Sequence, residues 1–264
     1  MKKLRVAVTQ HFVSHYRASI YNLLSRQQFP LPEYFIVSDS KGYGNIKTLD
    51  PGKAAELPED GGLKWKFVKN HPFGKHFLWQ SGLISLSLKK ELDVIIYLGN
   101  MYHLSTWISL LLAKMNGKKT LMWTHGYLKE EKNMKGWIRE KFYKLPDALL
   151  LYGNRAKEML LKRGFNKDSL YVVYNSLDYL RQSQVRNSLA DFNFKELKEK
   201  IFQKPQLPAV IFIGRLTQQK KLEILIEAIG ILKEQGTELN LLLIGDGPEK
   251  NKLNFRRHAQ KINI

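Results

Sequence analysis

The chain has 264 residues, 44% hydrophobic and 25% charged, the balance of an ordinary soluble protein with room for one large domain or two small ones. It contains no cysteine, which excludes disulfides, thiolate metal sites and cysteine nucleophiles and fits a reducing cytoplasm. Its net charge of +19 points to an anionic partner (nucleic acid, a phosphorylated substrate or an acidic membrane surface) or to a plain basic solvated surface, and charge alone does not choose among them.

The N-terminus, Met1 to Val8, is basic and then apolar, like the start of a signal peptide. Gln10, His11, Ser14, His15 and Arg17 break the run too early, so Leu4–Thr9 is read as a first strand. No run of about 18 apolar residues exists, so no spanning helix is expected. Helical spacing of Ile20, Leu23 and Leu24 predicts a helix over 16–27. Tyr34–Ser38 reads as a strand, 39–62 as a Gly- and Pro-rich loop, Trp65–Val68 as a short strand and 76–91 as a helix. His71 and His76 lie five apart without a third ligand nearby, and the segment is taken as a turn rather than a zinc site.

The alternation then sharpens. Strands are expected at 93–99, 119–124, 147–152 and 170–174, and helices at 104–115, 130–144 and 154–163. Such alternation builds βαβ units and a mostly parallel sheet with right-handed crossovers. Residues 179–207 are polar and read as a connection with one helix. The pattern restarts with a strand at 208–214, a helix at 218–235 stopped by Gly236, a strand at 239–244, and a turn at Gly245-Asp246-Gly247-Pro248 before a charged helix. Three segments follow: an α/β domain over 1–180, a connection over 181–207 and a second α/β domain beginning at 208. Two parallel strands cover their own faces poorly, so the second domain must pack on the first or belong to a longer, here truncated, unit.

The strongest constellation is Phe212-Ile213-Gly214-Arg215-Leu216-Thr217-Gln218-Gln219-Lys220-Lys221. A strand running through Gly into a helix puts its loop at the carboxyl edge of the sheet, where open α/β sheets bind ligands. Arg215 can grip phosphate oxygens and Lys220 adds a second cation beside the helix N-terminus, together a diphosphate clamp. Alternatively, Arg215 pairs with a carboxylate and Lys220 is simply solvated. The spacing leaves both open.

The run FIGRLTQQKKLEILIEAIGIL followed by LNLLLIGDGPE resembles the nucleotide-binding domain of family 4 (group 1) glycosyltransferases, retaining enzymes of GT-B architecture. Ala228 and Gly245-Asp246-Gly247-Pro248 stand where that family places them. TLMWTHG, PDALLLYGNRAKEMLLKRGFNKDSLYVVYNSLD and HFVSHYRASIYNLL resemble the family's first domain more loosely. The fold implied is a complete Rossmann-like domain followed by an incomplete second one.

The resemblance implies a hexosyltransferase-type enzyme. It would move a sugar from a nucleotide-diphosphate sugar to a glycan or lipid-linked acceptor, with retention, in cell-surface polysaccharide or lipid-linked glycan assembly. Arg215 and Lys220 would neutralise the diphosphate leaving group, where fixed cations act most on the transition state. Gly214, Gly245 and Gly247 would lie against the donor, and His125 would sit by the donor sugar at the cleft between domains. Its plain alternative is a histidine capping a strand end. His11, Tyr16, Arg17 and Gly126 would face the substrate, although Tyr16 and Arg17 can equally be packing and surface residues. No separate cofactor is implied, and no metal, since no Asp-x-Asp pair is present.

The chain departs from the family at Lys221, where Gly is usual, at Ser176 and Leu177 in the Asn-Gly-Ile-Asp run, and in a first loop without its Gly pair. The family's later Glu motif is absent. The helix around 129–144 carries Met134, Trp137, Ile138 and Phe142 among Lys132, Lys135, Arg139 and Lys141. It can lie on an anionic membrane, but core packing with a solvated face is the preferred reading. The expected location is cytoplasmic, with the inner membrane face as an alternative. The competing function is a basic α/β nucleic-acid- or membrane-surface-binding protein without catalysis. No RNA-recognition or helix-turn-helix signature supports the nucleic-acid branch. A dinucleotide enzyme is excluded because Gly-x-Gly-x-x-Gly follows neither candidate first strand.

Overall fold

The computed structural model describes residues 3–26, 30–42, 48–50, 63–74, 76–175 and 177–253. Most of the expected 39–62 loop, Ser176 and much of the expected last helix lie outside the described residues. The chain divides into two compact units, Met1–Ser183 and Gln184–Ile264.

In the first unit the strands are β1 (Arg5–Phe12), β2 (Glu33–Asp39), β3 (Trp65–Phe67), β4 (Lys69–Phe73), β5 (Phe77–Ser81), β6 (Val94–Leu98), β7 (Lys119–Thr124), β8 (Ala148–Leu151) and β9 (Leu170–Val172). Its helices are α1 (Ala18–Ser25), α2 (Leu83–Leu88), α3 (Leu104–Met115), α4 (Met134–Tyr143) and α5 (Asn154–Leu161). Seven strands form one parallel sheet in the order β3-β2-β1-β6-β7-β8-β9.

The chain leaves β1 toward β2 on one side and returns to build β6 to β9 on the other. Right-handed crossovers in the two directions place helices on opposite faces. Successive strand residues therefore enter different cores. Ala7, Ile95, Tyr97, Met122 and Leu149 pack with Leu83, Leu110, Phe142 and Leu160. Val8 and Ile36 pack with Tyr21 of α1, against Ile96 and Trp123. Because both faces are covered, the central strands are near-continuous apolar runs.

Three local expectations are corrected here. The 76–91 segment is not one helix. Phe77–Ser81 is a strand paired antiparallel with Lys69–Phe73, and only Leu83–Leu88 is helical. Apolar residues at 77–79 and again at 83–88 suit either period, but Gly82 breaks them apart at φ +91°. His71 accordingly lies within β4, opposite Trp79, and not in a turn. The expected 16–27 helix begins as a 3₁₀ turn at His15–Arg17 before α1.

The second unit contains α7 (Phe194–Ile201), β10 (Ala209–Ile213), α8 (Leu222–Glu234) and β11 (Asn240–Ile244), and its first residues belong to α6 (Tyr179–Ser188). Residues 179–207 thus hold two helices where one was expected. Asn193 starts the second, its Oδ1 accepting from Glu196 N at 3.2 Å. The 218–235 segment is also divided: a 3₁₀ turn at Gln218–Lys220 ends on Lys221 in the left-handed conformation, and α8 starts after it. β10 and β11 pair in parallel. One face of this sheet packs Val210, Phe212 and Leu241 against Leu222, Ile226 and Ile229, while Ile211 and Ile213 are exposed. Asn240, fully buried, donates to Lys204 O at 2.8 Å and ties the strand to the preceding connection.

Lys118 gives a test of the first unit's construction. It is only 6% exposed, and its Nζ donates to Lys89 O at 2.6 Å and Leu92 O at 2.9 Å, fastening the α2–β6 connection. Lys118→Met keeps the chain length but strands two carbonyls. Urea unfolding should show a loss of about 1–3 kcal/mol; an unchanged midpoint would mean water replaces the ammonium at no cost.

Candidate functional site

The candidate residues fall into two groups, each within one unit. His11, Tyr16, Arg17, His125 and Gly126 line a single cavity of about 360 Å³ in the first unit. It opens at the carboxyl ends of β1, β6, β7 and β8, at the point where strand order reverses between β1 and β6. Open α/β sheets form their binding crevices at such a switch point.

The cavity wall is braced from the β4–β5 hairpin. Gln80, 4% exposed, donates from Nε2 to Gln10 O at 2.8 Å and to Asn70 Oδ1 at 3.0 Å. Asn70 donates to His11 O at 2.6 Å, and its own N–H donates to Asp39 Oδ2 at 2.7 Å. These bonds hold the end of β1 in place and present the His11 ring to the cavity. The buried His103 ring packs beside it, with ring centroids 6.0 Å apart. Burial is the main cause holding both imidazoles neutral, pushing each down to about 4; Arg17 adds to the effect on His11, and His11 to that on His103.

Arg17 sits among rings. Its guanidinium carbon lies 5.4 Å from the Tyr152 centroid, 5.7 Å from Trp123 and 5.9 Å from Tyr16. Its Nη2 approaches Asn175 Oδ1 at 3.4 Å. Tyr16 and Arg17 thus both line the cavity and lie against one another. His125 is exposed and stacks on Tyr152 with centroids 4.2 Å apart. Its pKa is lowered, first by partial desolvation of the ring and then by Arg17. Arg139, the other cavity cation, is balanced by Glu131 at 3.1 Å.

Gly126 has a structural reason of its own. It is left-handed at φ +66°, and a Cβ there would meet Ala156 Cβ at 3.0 Å. Asn100, Tyr102, His103, Trp123 and Tyr152 were not singled out from the sequence. The signal that selected His125, a polar residue where a strand runs out beside Gly, also exists at Gly99–His103 and Tyr152-Gly153.

In the second unit, Gly214, Arg215 and Leu216 leave β10 beside Gly245, Asp246 and Gly247, which leave β11. Gly214 N donates to Ile244 O and Leu216 N to Asp246 O, both at 2.9 Å, so the pairing continues past the strands. A Cβ on Gly245 would lie 1.8 Å from Gly214 O, and one on Gly247 2.2 Å from Leu216 O. These two glycines thus let the loops lie against each other, a requirement independent of any ligand. Arg215 and Lys220 project into solvent, and no ion pair holds either among the described residues. The carboxylate-pairing alternative for Arg215 therefore has no support here.

Comparison with known proteins follows the same division. Residues 193–264 match the family model "Glycosyl transferases group 1". Along almost its whole length the chain is similar to three solved structures. One is the lipopolysaccharide outer core galactosyltransferase WaaB in its apo form, at 17% identity, covering 98% of this chain and 66% of that one with TM-score 0.60. Another is Anabaena Alr3699/HepE in complex with UDP, at 12%, 99%, 67% and 0.60. The third is a glycosyltransferase from Rickettsia africae ESF-5, at 15%, 99%, 66% and 0.58. The chain has the GT-B-like fold of these structures and spans about two thirds of their length. No curated protein matches it by sequence.

The neutral histidine pair makes a pH prediction. His11 and His103 titrate near 4 when folded and near 6.5 when unfolded, so below 6.5 the unfolded chain binds more protons. Their contribution is constant above pH 6.5 and is lost as pH falls from 6.5 toward 4. The loss should reach about 1.4 kcal/mol per pH unit for each histidine. Denaturant unfolding from pH 7.5 to pH 4.5, with His103→Gln removing part of the slope, checks it. Imidazole NMR titrations with midpoints near 6.5 would contradict it.

Proposed function

We propose that this protein transfers a sugar from a nucleotide-diphosphate sugar to an acceptor hydroxyl. The observation that carries the reading is the Gly214–Lys220 loop. It presents two exposed cations without ion-pair partners at the carboxyl edge of β10, within the segment that matches the glycosyltransferase family model. When the bond between the sugar's anomeric carbon and the diphosphate oxygen breaks, negative charge grows on the leaving group. Arg215 and Lys220 would stabilise it, and no covalent role is asked of them. The anomeric carbon bonds to the acceptor oxygen, whose proton departs. Retention of configuration is part of the proposal, resting on the resemblance of the FIGRLTQQKK segment. The first unit's cavity would hold the acceptor, with His125 at its open side hydrogen-bonding the transferred sugar. Gly214, Gly245 and Gly247 would let the donor approach the backbone.

UDP in complex with the fold relative Alr3699/HepE makes UDP the first donor probe. Binding of UDP measured by calorimetry, and turnover of UDP-hexoses, should both fall in Arg215→Ala and Lys220→Ala. Each is expected to cost about 10²–10³ in turnover, and together they should abolish detectable UDP affinity. Unchanged binding in the double variant would reject the clamp.

The acceptor and the location remain part of the same proposal: a glycan or lipid-linked acceptor at the inner face of a membrane. Its support is α4 and the loop before it. Phe142 is buried, but Met134 is 78% exposed, Trp137 61% and Leu128 72%, so packing does not account for the whole stripe. Lys141 lies 5.5 Å from the Trp137 ring, and Lys129, Lys132 and Lys135 are nearby in sequence. Among the described residues no helix is long and apolar enough to cross a membrane, so contact would be from the surface. Cosedimentation with phosphatidylglycerol-containing vesicles should exceed that with neutral vesicles, fall with salt and drop several-fold in Trp137→Glu. Equal partition into both vesicle types would refute it. Salt-sensitive RNA binding in the same assay would favour the non-catalytic alternative.

A further inference from the structure

The cavity in the first unit carries a charge, that of Arg17, which no carboxylate among the described residues balances. Arg17 is half-buried, and the groups closest to it are all uncharged: the Tyr16, Trp123 and Tyr152 rings, the Tyr21 and Tyr152 hydroxyls that accept from it, and the Asn175 amide. No Asp or Glu lines the cavity, and no carboxylate pairs with Arg17 among the described residues. The second cavity cation, Arg139, shows the contrast: Glu131 neutralises it at 3.1 Å. The histidines do not supply compensating charge, since an imidazole is either neutral or positive.

Hydrogen-bonding capacity points the same way. Arg17 Nε, Trp123 Nε1 and His11 Nδ1 are shielded from solvent and bond to no protein group among the described residues. Two of these are obligate donors, and Arg and indole N–H groups never accept. A partly desolvated guanidinium, held in a stack of aromatic rings and flanked by an unused indole N–H, is built to meet anionic oxygen. A neutral sugar hydroxyl would leave the charge without a counterpart, the costlier arrangement in such a setting.

We propose that the acceptor received by this cavity bears an anionic oxygen group, phosphoryl or carboxylate, and that Arg17 is the residue that selects it. This rests on the reading of the cavity as the acceptor site. It adds a substrate class, an acidic or phosphorylated saccharide, and names the positioning contact. The surrounding rings and hydroxyls hold the guanidinium in place, so its unpaired Nε–H is available to an anionic oxygen without ordering a free side chain. Arg17 takes no part in bond making; it selects which acceptor enters and where its charged end rests.

The test uses the complete chain carrying Arg215→Ala and Lys220→Ala, so that anion binding in the second unit is removed. The Trp123 indole N–H resonance, assigned by its loss in Trp123→Phe, reports the cavity. Glucose 6-phosphate, methyl β-D-glucuronide and neutral methyl β-D-glucoside are titrated at equal ionic strength. At least one charged saccharide should shift the resonance with a midpoint about tenfold or more below that of the neutral glycoside. Response to the phosphate alone, the glucuronide alone or both identifies the anionic source. Arg17→Gln should erase the preference, and Arg17→Lys should keep part of it. Equal midpoints for charged and neutral saccharides, no response to any of the three, or a preference that survives in Arg17→Gln would overturn the proposal. If Arg17→Gln lowers the melting midpoint, the titration of the Arg17-containing protein and the Arg17→Lys variant decide. UDP binding to the unsubstituted chain, measured in parallel, separates failure of this inference from failure of the donor site.

Discussion

β1 has two parallel neighbours reached by opposite routes, and the first unit depends on that arrangement. Pairing with β2 on one side and β6 on the other requires the connections to pass over different faces. One consequence is packing: Ala7 and Val8 are adjacent in sequence yet belong to separate cores, and both are fully buried. The other is a crevice, since the loops after β1 and β6 diverge. The residues argued to matter in the cavity lie around that divergence and along the neighbouring carboxyl ends of β7 and β8. The hairpin β4–β5 is the addition that makes the crevice rigid, through Gln80 and Asn70 bonded to the backbone of Gln10 and His11.

How much of this could be read beforehand depended on distance along the chain. The helix at 104–115 and the strand at 119–124 were read to the residue, because apolar spacing, the Asn116-Gly117 stop and a short apolar run are all local signals. The 69–81 hairpin was not, because Phe77 to Leu88 satisfies two periodicities and only pairing with β4 decides between them. The cavity was half legible. Position at a strand end marks His11 and His125, and marks Tyr152 equally. The surroundings of Arg17 were beyond reach: Trp123 and Tyr152 lie more than a hundred residues away, and an Arg beginning a helix is ordinarily a surface residue. The stripe on α4 was misjudged for the opposite reason. Its periodicity is that of a packed helix, but only Phe142 of the four apolar residues is buried.

The glycines show how one sequence signal can serve two causes. Gly245 and Gly247 suggested close approach of a ligand to the backbone. In the structure the close approach is already made by the neighbouring loop, whose carbonyl oxygens occupy the space a side chain would need. The two purposes are compatible, because loops pressed together leave Arg215 no room to fold inward and direct it toward solvent. Lys221 completes the picture. A non-glycine residue at φ +50° costs about 1–2 kcal/mol, and the turn it makes separates Gln218–Lys220 from α8. The chain accepts that strain where a glycine would relieve it, and a third cation is thereby kept beside Arg215 and Lys220 in sequence.

Charge is distributed between the two units according to what holds it. In the second unit Arg215 and Lys220 are solvated, so water stabilises them until a ligand arrives, and their attraction is open to screening by salt. In the first unit Arg17 is partly removed from water and supported by ring faces, the Tyr21 and Tyr152 hydroxyls and one amide, with no carboxylate among the described residues. Its attraction for an anion is therefore less screened, and its tolerance for an uncharged occupant is smaller. A solvated pair of cations suits a diphosphate that must bind, gain charge as its bond breaks, and leave. A caged guanidinium suits recognition, where the cost of the wrong partner matters more than speed of release. The net charge of +19 says neither of these things; the distinction comes from which cations are desolvated and which lack a carboxylate.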